Sequence, residues 1–305
     1  MDFGIQIEGQ NGLNWTIWKK VVPLVEELGF AGLYRSDHFT NNAPPDLDSL
    51  ELWISLTWLA DHTSRLEFSP LVTPLSFRHP AFTARWGAQV DDLSGGRLTL
   101  GVGAGWQVRE HNNFSFNLLN ENDRFERFEE GLQIITHLLQ KDEPLNFSGK
   151  YYHFNDAVLL PRPARPGGPP ILIGGNGVKR TLPLVARYAD EWNAVYIPPD
   201  TFKERNSLLS EMLTSAKRDP NKVRRSLMNG LVFASSEQAL QVKLQTRDMN
   251  RLKSAGVIVG TPDQLAAQFD AYAAAGVQRL ILQWLDLSDL KGLELLANVI
   301  QDWAN

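Results

Sequence analysis

Short apolar runs of five to eight residues alternate with longer stretches of helical period along this chain. DFGIQI (2–7) leads into a helix over about 14–28, and GLYRS (32–36) into LDSLELWISLTWLADHT. RLEFSPLV precedes HPAFTARWGAQVDDL, and RLTLGVG precedes, after an irregular stretch, ENDRFERFEEGLQIITHLLQ. ILIGG (171–175) precedes KRTLPLVARYA, and EWNAVYI (191–197) precedes TFKERNSLLSEML. RSLMNGLVF opens a long helical region that includes PDQLAAQFDAYAAAG, and VQRLILQW (277–284) is followed by LKGLELLANVIQDW. Strands that alternate with helices in this way run parallel and are joined by crossovers. Eight such units in about 300 residues predict an α/β chain folded as a closed (β/α)₈ barrel rather than an open sheet.

Three segments depart from the rhythm and predict insertions within one domain spanning 1–305. Residues 106–120 form an unusually long loop, the kind that is often functional. Residues 141–170 combine FSGKYYHF, read as a short strand pair, with the extended connector PRPARPGGPP, where each proline removes a backbone donor. Residues 234–260 lengthen the seventh connection. Pro23 falls inside the first helical pattern, against its own preference.

Composition narrows the class. Of 305 residues 43% are hydrophobic, enough for a large core, and nine Trp with fifteen Phe point to bulky packing or an aromatic-lined pocket. A formal charge of −5 argues against nucleic acid and anionic membranes as partners. With no Cys, disulfides, thiolate metal sites and a thiol nucleophile are excluded. The start MDFGIQIEG reads as a strand rather than a signal peptide, and no 18-residue apolar run follows, so a cytoplasmic protein is expected.

Candidate chemistry gathers at strand ends, where barrel enzymes keep their active sites. In SGGRLTLGVGAGW (94–106) the glycines follow G-x-G-x-G, with Trp106 where a dinucleotide fingerprint needs its third glycine and no helix after it. Gly101, Gly103 and Gly105 therefore read as a tight turn or as a close approach to a flat ligand. Gly174, Gly175, Asn176 and Gly177 stand between a strand and a helix, a place where backbone N–H groups attract an anion, with Lys179 and Arg180 adding charge. RSDHF sets Asp37 and His38 at the rim, and an imidazole there can exchange a proton near neutral pH. Pro70 interrupts an otherwise central strand. A cis Ser69–Pro70 bond or a trans proline that ends the strand early would each accommodate it. Glu8 ends the first strand and could face the mouth. Arg109, Glu110 and His111 read as solvated loop residues, His79 as a helix start, and His62, His137 and His153 as structural.

No H-x-H pair lies in the first strand, and neither H-E-x-x-H nor G-x-S-x-G occurs. No metal site is expected; the combination suits a phosphorylated planar cofactor.

Taken in order, RSDHF, SGGRLTLGVGAGW, RFERFEEGLQII and PPILIGGNGVKRTLPLVARYADEWN resemble the bacterial-luciferase-like family of flavin- and deazaflavin-dependent oxidoreductases, along nearly the whole chain. The resemblance implies a (β/α)₈ barrel with insertions that binds FMN or the deazaflavin F420 at its C-terminal face. It is strongest to the F420-dependent branch, where a histidine beside an acid ends strand two (here His38 and Asp37) and a cis peptide at the end of strand three, here matched to Ser69 and Pro70, backs the ring. It further implies Gly103, Ala104 and Trp106 near the ring and ribityl chain, and 174–177 near the phosphate. Family members that oxidise sugar phosphates carry a glutamate where this chain has Trp106, which points to a more apolar substrate. The implied activity is hydride transfer between the deazaflavin C5 and a small organic molecule, with His38 moving a proton. The alternatives are an FMN-dependent monooxygenase fed by a separate reductase, and a binding relative without catalysis. The aromatic-rich helices carrying Trp53, Trp58 and Trp86 fit either a subunit interface or core packing, and relatives are commonly homodimers, so the resemblance implies a homodimer.

Overall fold

The computed structural model describes residues 1–304. In chain order the first half comprises β1 (Asp2–Ile7), α1 (Trp15–Glu27), β2 (Gly32–Arg35), α2 (Leu52–His62), β3 (Glu67–Pro70), β4 (Thr73–Pro74), α3 (Pro80–Leu93), β5 (Leu100–Gly103), α4 (Val108–Asn113) and α5 (Glu121–Gln140). An antiparallel pair, β6 (Leu145–Ser148) and β7 (His153–Ala157), leads to β8 (Ile171–Gly174), α6 (Thr181–Tyr188), β9 (Glu191–Val195) and α7 (Pro199–Ser215). The chain closes with β10 (Arg224–Phe233), α8 (Glu237–Leu244), α9 (Met249–Ser254), β11 (Ile258–Gly260), α10 (Pro262–Ala274), β12 (Arg279–Trp284) and α11 (Leu290–Ala304).

The parallel strands run in the order β3-β2-β1-β12-β10-β9-β8-β5-β4. β3 and β4 are two halves of one stave, the first paired with β2 and the second with β5, so nine strands make eight staves. A bridge between Phe68 and Leu98 closes the ring, with Thr99 N–H donating to the Phe68 carbonyl at 2.9 Å. The staves are buried on both faces, as a covered parallel sheet requires. Helices start where the chain can satisfy their free N–H groups. Asn14 Oδ1 accepts from Ile17 at the head of α1, and His79 Nδ1 accepts from Ala81 ahead of Pro80 at α3. α1 runs through Pro23, and nothing in the structure explains that residue.

Most of the core lies between staves and helices. A separate cluster inside the ring, Tyr34, Leu71, Leu172, Met228 and Ile281, comes from five different staves and fills the lumen beneath the mouth.

The eight-unit reading matches this architecture, and the strand pair expected around 147–154 is present. Three expectations need correction. The cis peptide is at Leu71–Val72, not Ser69–Pro70. Pro70 remains in β3, opposite Arg35, because the lost donor is compensated one residue later, where Leu71 N–H donates to the Arg35 carbonyl at 2.7 Å. The 106–120 segment contains helix α4. The 234–260 segment is not wholly helical: β11 pairs with the far end of β10. No described helix is long and apolar enough to cross a membrane.

Candidate active site

A cavity of about 760 Å³ opens at the C-terminal ends of the staves. Glu8, Asp37, His38, Gly103, Ala104, Trp106, Gly174 and Gly175 all line it, so the acid–histidine pair and the first half of the glycine turn share one mouth. Ser69, Pro70, Asn176 and Gly177 do not line it. The Ser69 hydroxyl is buried and donates to the Pro70 carbonyl, while Leu71 and Val72 form the wall instead. Asn176 is committed to β9: its amide donates to the Val195 carbonyl at 2.6 Å and its oxygen accepts from Val195 N–H at 2.9 Å.

His38 is held by a residue that the sequence reading left in solvent. Glu110, on α4, is buried; one carboxylate oxygen lies 2.9 Å from His38 Nδ1 and the other accepts from Phe39 N–H at 3.0 Å. An ionised carboxylate only accepts, so Nδ1 carries the proton and Nε2 is the ring nitrogen left for chemistry. Burial works against the imidazolium, but the Glu110 hydrogen bond and the negative charges of Glu110, Glu8 and Asp37 outweigh it, raising the His38 pKa above its ordinary value. The Trp106 ring, 59% exposed, stands edge-on to the imidazole with centroids 5.6 Å apart.

α4 is pinned from several sides. Gln107 donates to the Thr40 carbonyl at 3.0 Å, and His111 bridges the Gln107 carbonyl at 2.7 Å and the Ser76 hydroxyl at 2.8 Å. Phe39, Phe77, Phe114 and Phe116 pack as one aromatic group around it, with neighbouring centroids 4.7–5.2 Å apart. Burial lowers the His111 pKa, which suits a neutral, structural imidazole. The signal for this helix was in the sequence: Gln107, Glu110 and His111 follow i, i+3, i+4, one face of a helical turn, while Arg109 faces Asp46 on the outside.

Asp37 is not a free acid. Arg78 forks onto both its oxygens and onto Glu51, and Thr73 donates to it at 2.8 Å. Glu8 receives Gln10 at 2.9 Å and Gln283 at 2.8 Å, and Gln283 in turn receives the Tyr196 hydroxyl, so a polar chain crosses the mouth from β1 through β12 to β9.

The glycines answer first to the backbone. A Cβ on Gly101 would collide with the Pro70 carbonyl, and one on Gly103 would lie 2.5 Å from Val72. They let the broken third stave press against β5, which is what brings Leu71 and Val72 to the cavity. The charge near the 174–177 turn also differs from expectation. Lys179 and Arg180 do not line the cavity; Arg180 pairs with Glu121 and Asn122 on α5. Arg124 and Thr181 line it, and the buried Arg124 Nε has no hydrogen-bond partner among the described residues. On the adjacent β9, in register with Gly174, the buried Asn193 Oδ1 is likewise without a partner among the described residues.

The family described as luciferase-like monooxygenase matches residues 1–254. An F420-dependent glucose-6-phosphate dehydrogenase of Kineococcus radiotolerans is 31% identical over 195 residues, 64% of this chain and 55% of that enzyme. The chain thus spans about half the length of that relative. An FMNH2-dependent dimethylsulfone monooxygenase of Pseudomonas putida is 24% identical over 308 residues, 89% of this chain and 83% of that one. Among solved structures, an F420-dependent secondary alcohol dehydrogenase superposes with a TM-score of 0.86 at 18% identity, covering 100% of this chain and 99% of the other, a likeness of fold.

Proposed function

The chain belongs to the luciferase-like monooxygenase family, and from that premise we propose that it is an F420-dependent oxidoreductase acting on a small, largely apolar organic substrate. One observation carries the reading: a single cavity joins the His38–Glu110 pair to the Gly174–Gly175 turn, with Arg124 in the same lining. Its volume lies within the range of about 300–1,000 Å³ typical of small-molecule sites.

The walls fit such a cofactor. Leu71, Val72, Val195 and Met228 supply an apolar face for a flat ring, and Asn193 Oδ1 offers an unpaired acceptor to a ring edge. Arg124 and Thr181 supply cationic and polar contacts for a phosphate-bearing tail, beside Gly174 and Gly175, which have no Cβ to hold it off; the Gly175 N–H itself is taken by the Asn193 carbonyl at 2.9 Å. When bound, the deazaflavin supplies a two-electron hydride donor or acceptor; the rest of the chemistry falls to the protein. His38 Nε2 exchanges the proton that the substrate oxygen gains or loses, and Glu110 fixes the tautomer and orientation that make this possible. Trp106 and Ala104 line the mouth beside His38. Asp37, held by Arg78, shapes the rim. The 1–305 chain acts as one catalytic unit, and the α2–α3 face, with Ile54, Phe82 and Leu93 exposed beside Trp53 and Trp86, supports a homodimer.

Titration of the purified protein with F420 and with FMN tests the reading. Saturable binding of F420, with the His38→Ala variant losing about 10²–10⁴-fold in turnover, is expected; binding of FMN alone, or of neither, overturns it. The long alignment with the Pseudomonas putida monooxygenase supports a second reading, an FMN-dependent monooxygenase served by a separate reductase. Substrate-dependent oxygen uptake with supplied reduced FMN would select it.

A further inference from the structure

The hydrogen bonds around the mouth have a direction, and Glu8 sets it. A carboxylate only accepts, so the two glutamines that reach it, Gln10 at 2.9 Å and Gln283 at 2.8 Å, both turn their amide nitrogens inward. Their oxygens then face away from Glu8. The Gln10 oxygen accepts from the Ser36 hydroxyl at 2.8 Å, and the Gln283 oxygen accepts from the Tyr196 hydroxyl. Tyr196 lines the cavity with its one proton already committed, so what it has left for a ligand is an oxygen lone pair. Burial and the charge of Glu8 push its phenol up to about 12, which keeps that proton in place at neutral pH.

The backbone holds Tyr196 in this position against its own preference. Its φ of 49° is left-handed, a costly region for a residue with a bulky side chain. Two glycines make the room. A Cβ on Gly230 would lie 2.8 Å from the Tyr196 ring, and one on Gly256 would lie 2.6 Å from the Ile197 nitrogen. Strain of this kind persists where the surroundings over-determine it, and it clusters at ligand sites.

The rest of the β9 wall has the same polarity. The Asn193 amide, fully buried, donates to Ser226 Oγ at 3.0 Å. The Ser226 proton itself goes to the Trp192 carbonyl at 3.3 Å, so Asn193 Oδ1 is left as the unpaired acceptor. Val195 N–H donates to Asn176 Oδ1 and Tyr196 N–H to the Met228 carbonyl, both at 2.9 Å. The amide protons left over on Gln10 and Gln283 belong to the β1–β12 side. Among the described residues, the side chains of the β9 wall therefore offer the cavity acceptors and no donor. Nor does this wall call for a cation, because the buried Arg35 guanidinium feels the charges of Asp37, Glu8 and Glu51 and balances the acidic rim.

We infer that Tyr196 is a specificity-determining residue, oriented through Gln283 by Glu8, and that the substrate is a neutral molecule that presents a hydroxyl group to the β9 wall. The polarity of the wall stands on its own hydrogen bonds; only the identification of the ligand as the substrate rests on the proposed function.

Calorimetric titration of the full chain with octan-1-ol and with its isomer heptyl methyl ether, free of cofactor, tests the inference. The two have the same formula, and only the alcohol donates. The ratio of their affinities is the readout, which sets aside any general loss of binding. Tyr196→Phe keeps the ring and is expected to lower the preference for the alcohol about fivefold, the order of one neutral hydrogen bond. Glu8→Gln gives the Gln283 oxygen a donor to turn to, which releases the Tyr196 proton, and is expected to lower the preference as well. A ratio that survives Tyr196→Phe, or one that Glu8→Gln leaves untouched, overturns the inference. F420 titrated in parallel separates the two readings. F420 binding with a ratio unmoved by Tyr196→Phe sinks the role of Tyr196 alone, whereas a ratio governed by Tyr196 in a protein that binds no deazaflavin upholds it and sinks the cofactor reading.

Discussion

The imidazole of His38 would be a poor cation on burial alone; its partner decides its state. Glu110 is buried with it, and its hydrogen bond and charge, together with the charges of Glu8 and Asp37, exceed the cost of removing the imidazolium from water. A histidine whose pKa is raised in the folded protein stabilises the fold fully below its unfolded value, and that contribution disappears as pH rises through the folded value. Replacing Glu110 by Gln keeps an acceptor for Nδ1 but removes the charge, so desolvation then dominates and the His38 midpoint must fall. Proton NMR of the imidazole should show the midpoint of Glu110→Gln displaced to lower pH than wild type, and the pH profile of kcat/KM should move the same way. An unmoved midpoint would show that Glu110 does not govern the charge of His38. Legibility was uneven at this scale. His38 stood out because a titratable ring next to an acid ended a strand, yet the neighbouring acid, Asp37, is consumed by Arg78. The acid that matters is 72 residues away, a distance that no local pattern crosses. The glycines of 101–105 were visible as a demand for space, but what occupies the space, the Pro70 carbonyl and Val72, follows only from the tertiary fold.

Elements with strong periodicity were readable, and short ones were not. Eight strand–helix units emerged from alternation alone, because each stave is a buried run bounded by turn signals and each crossover helix has its own amphipathic period. β11 has three residues, too few for any period to declare itself, and α4, with six, shows no more than the single-turn face of Gln107, Glu110 and His111. The split of the third stave at Leu71–Val72 likewise has no sequence signature beyond Pro70 nearby. The 106–120 segment, expected as an irregular loop, is therefore a packed wall whose aromatic group holds Glu110 in place. Truncating Phe116 should loosen that wall without touching the cavity. Phe116→Ala is expected to accelerate amide exchange across 107–116 while leaving the staves protected, and to weaken the hold of Glu110 on His38 so that the imidazole midpoint shifts toward lower pH. If exchange in 107–116 is already as fast in the wild type as in free loops, the segment is a mobile lid and the packed-wall description fails.

The first and last strands, β1 and β12, pair along their whole length, and the two ends of that seam carry different chemistry. Toward the mouth, Glu8, the residue after β1, receives Gln283 on β12. At the opposite end Arg279 of β12, 2% exposed, donates to Tyr34 at 2.7 Å and Glu67 at 2.8 Å and pairs with Asp2 at 3.2 Å, tying β12 to β2, β3 and β1. Its charge also acts on Glu191 of β9, a buried carboxyl with an unpartnered oxygen. Burial raises the Glu191 pKa above the ordinary carboxylate value of 4.5, and Arg279 opposes that rise. This division was legible only as a barrel with one working end; the ion network at the other end joins residues up to 277 positions apart and left no trace in any window of sequence. Removing the guanidinium in Arg279→Met strands Tyr34 and Glu191 in the interior. Asp2 and Glu67 are half-exposed and can turn to water, so the loss is expected near the lower bound for a broken buried pair, about 3 kcal/mol. The pH dependence has a definite sign. Without Arg279 the folded-state pKa of Glu191 rises further above its unfolded value, so the folded state favours the protonated acid. Stability tied to that proton is complete below the unfolded value and is lost as pH rises through the folded one. Urea unfolding should therefore show a smaller deficit for Arg279→Met in acid, near the unfolded carboxyl pKa, than at neutral pH. A deficit that is the same under both conditions would mean that Arg279 serves the seam by packing, and that the charge of Glu191 is compensated elsewhere in the barrel.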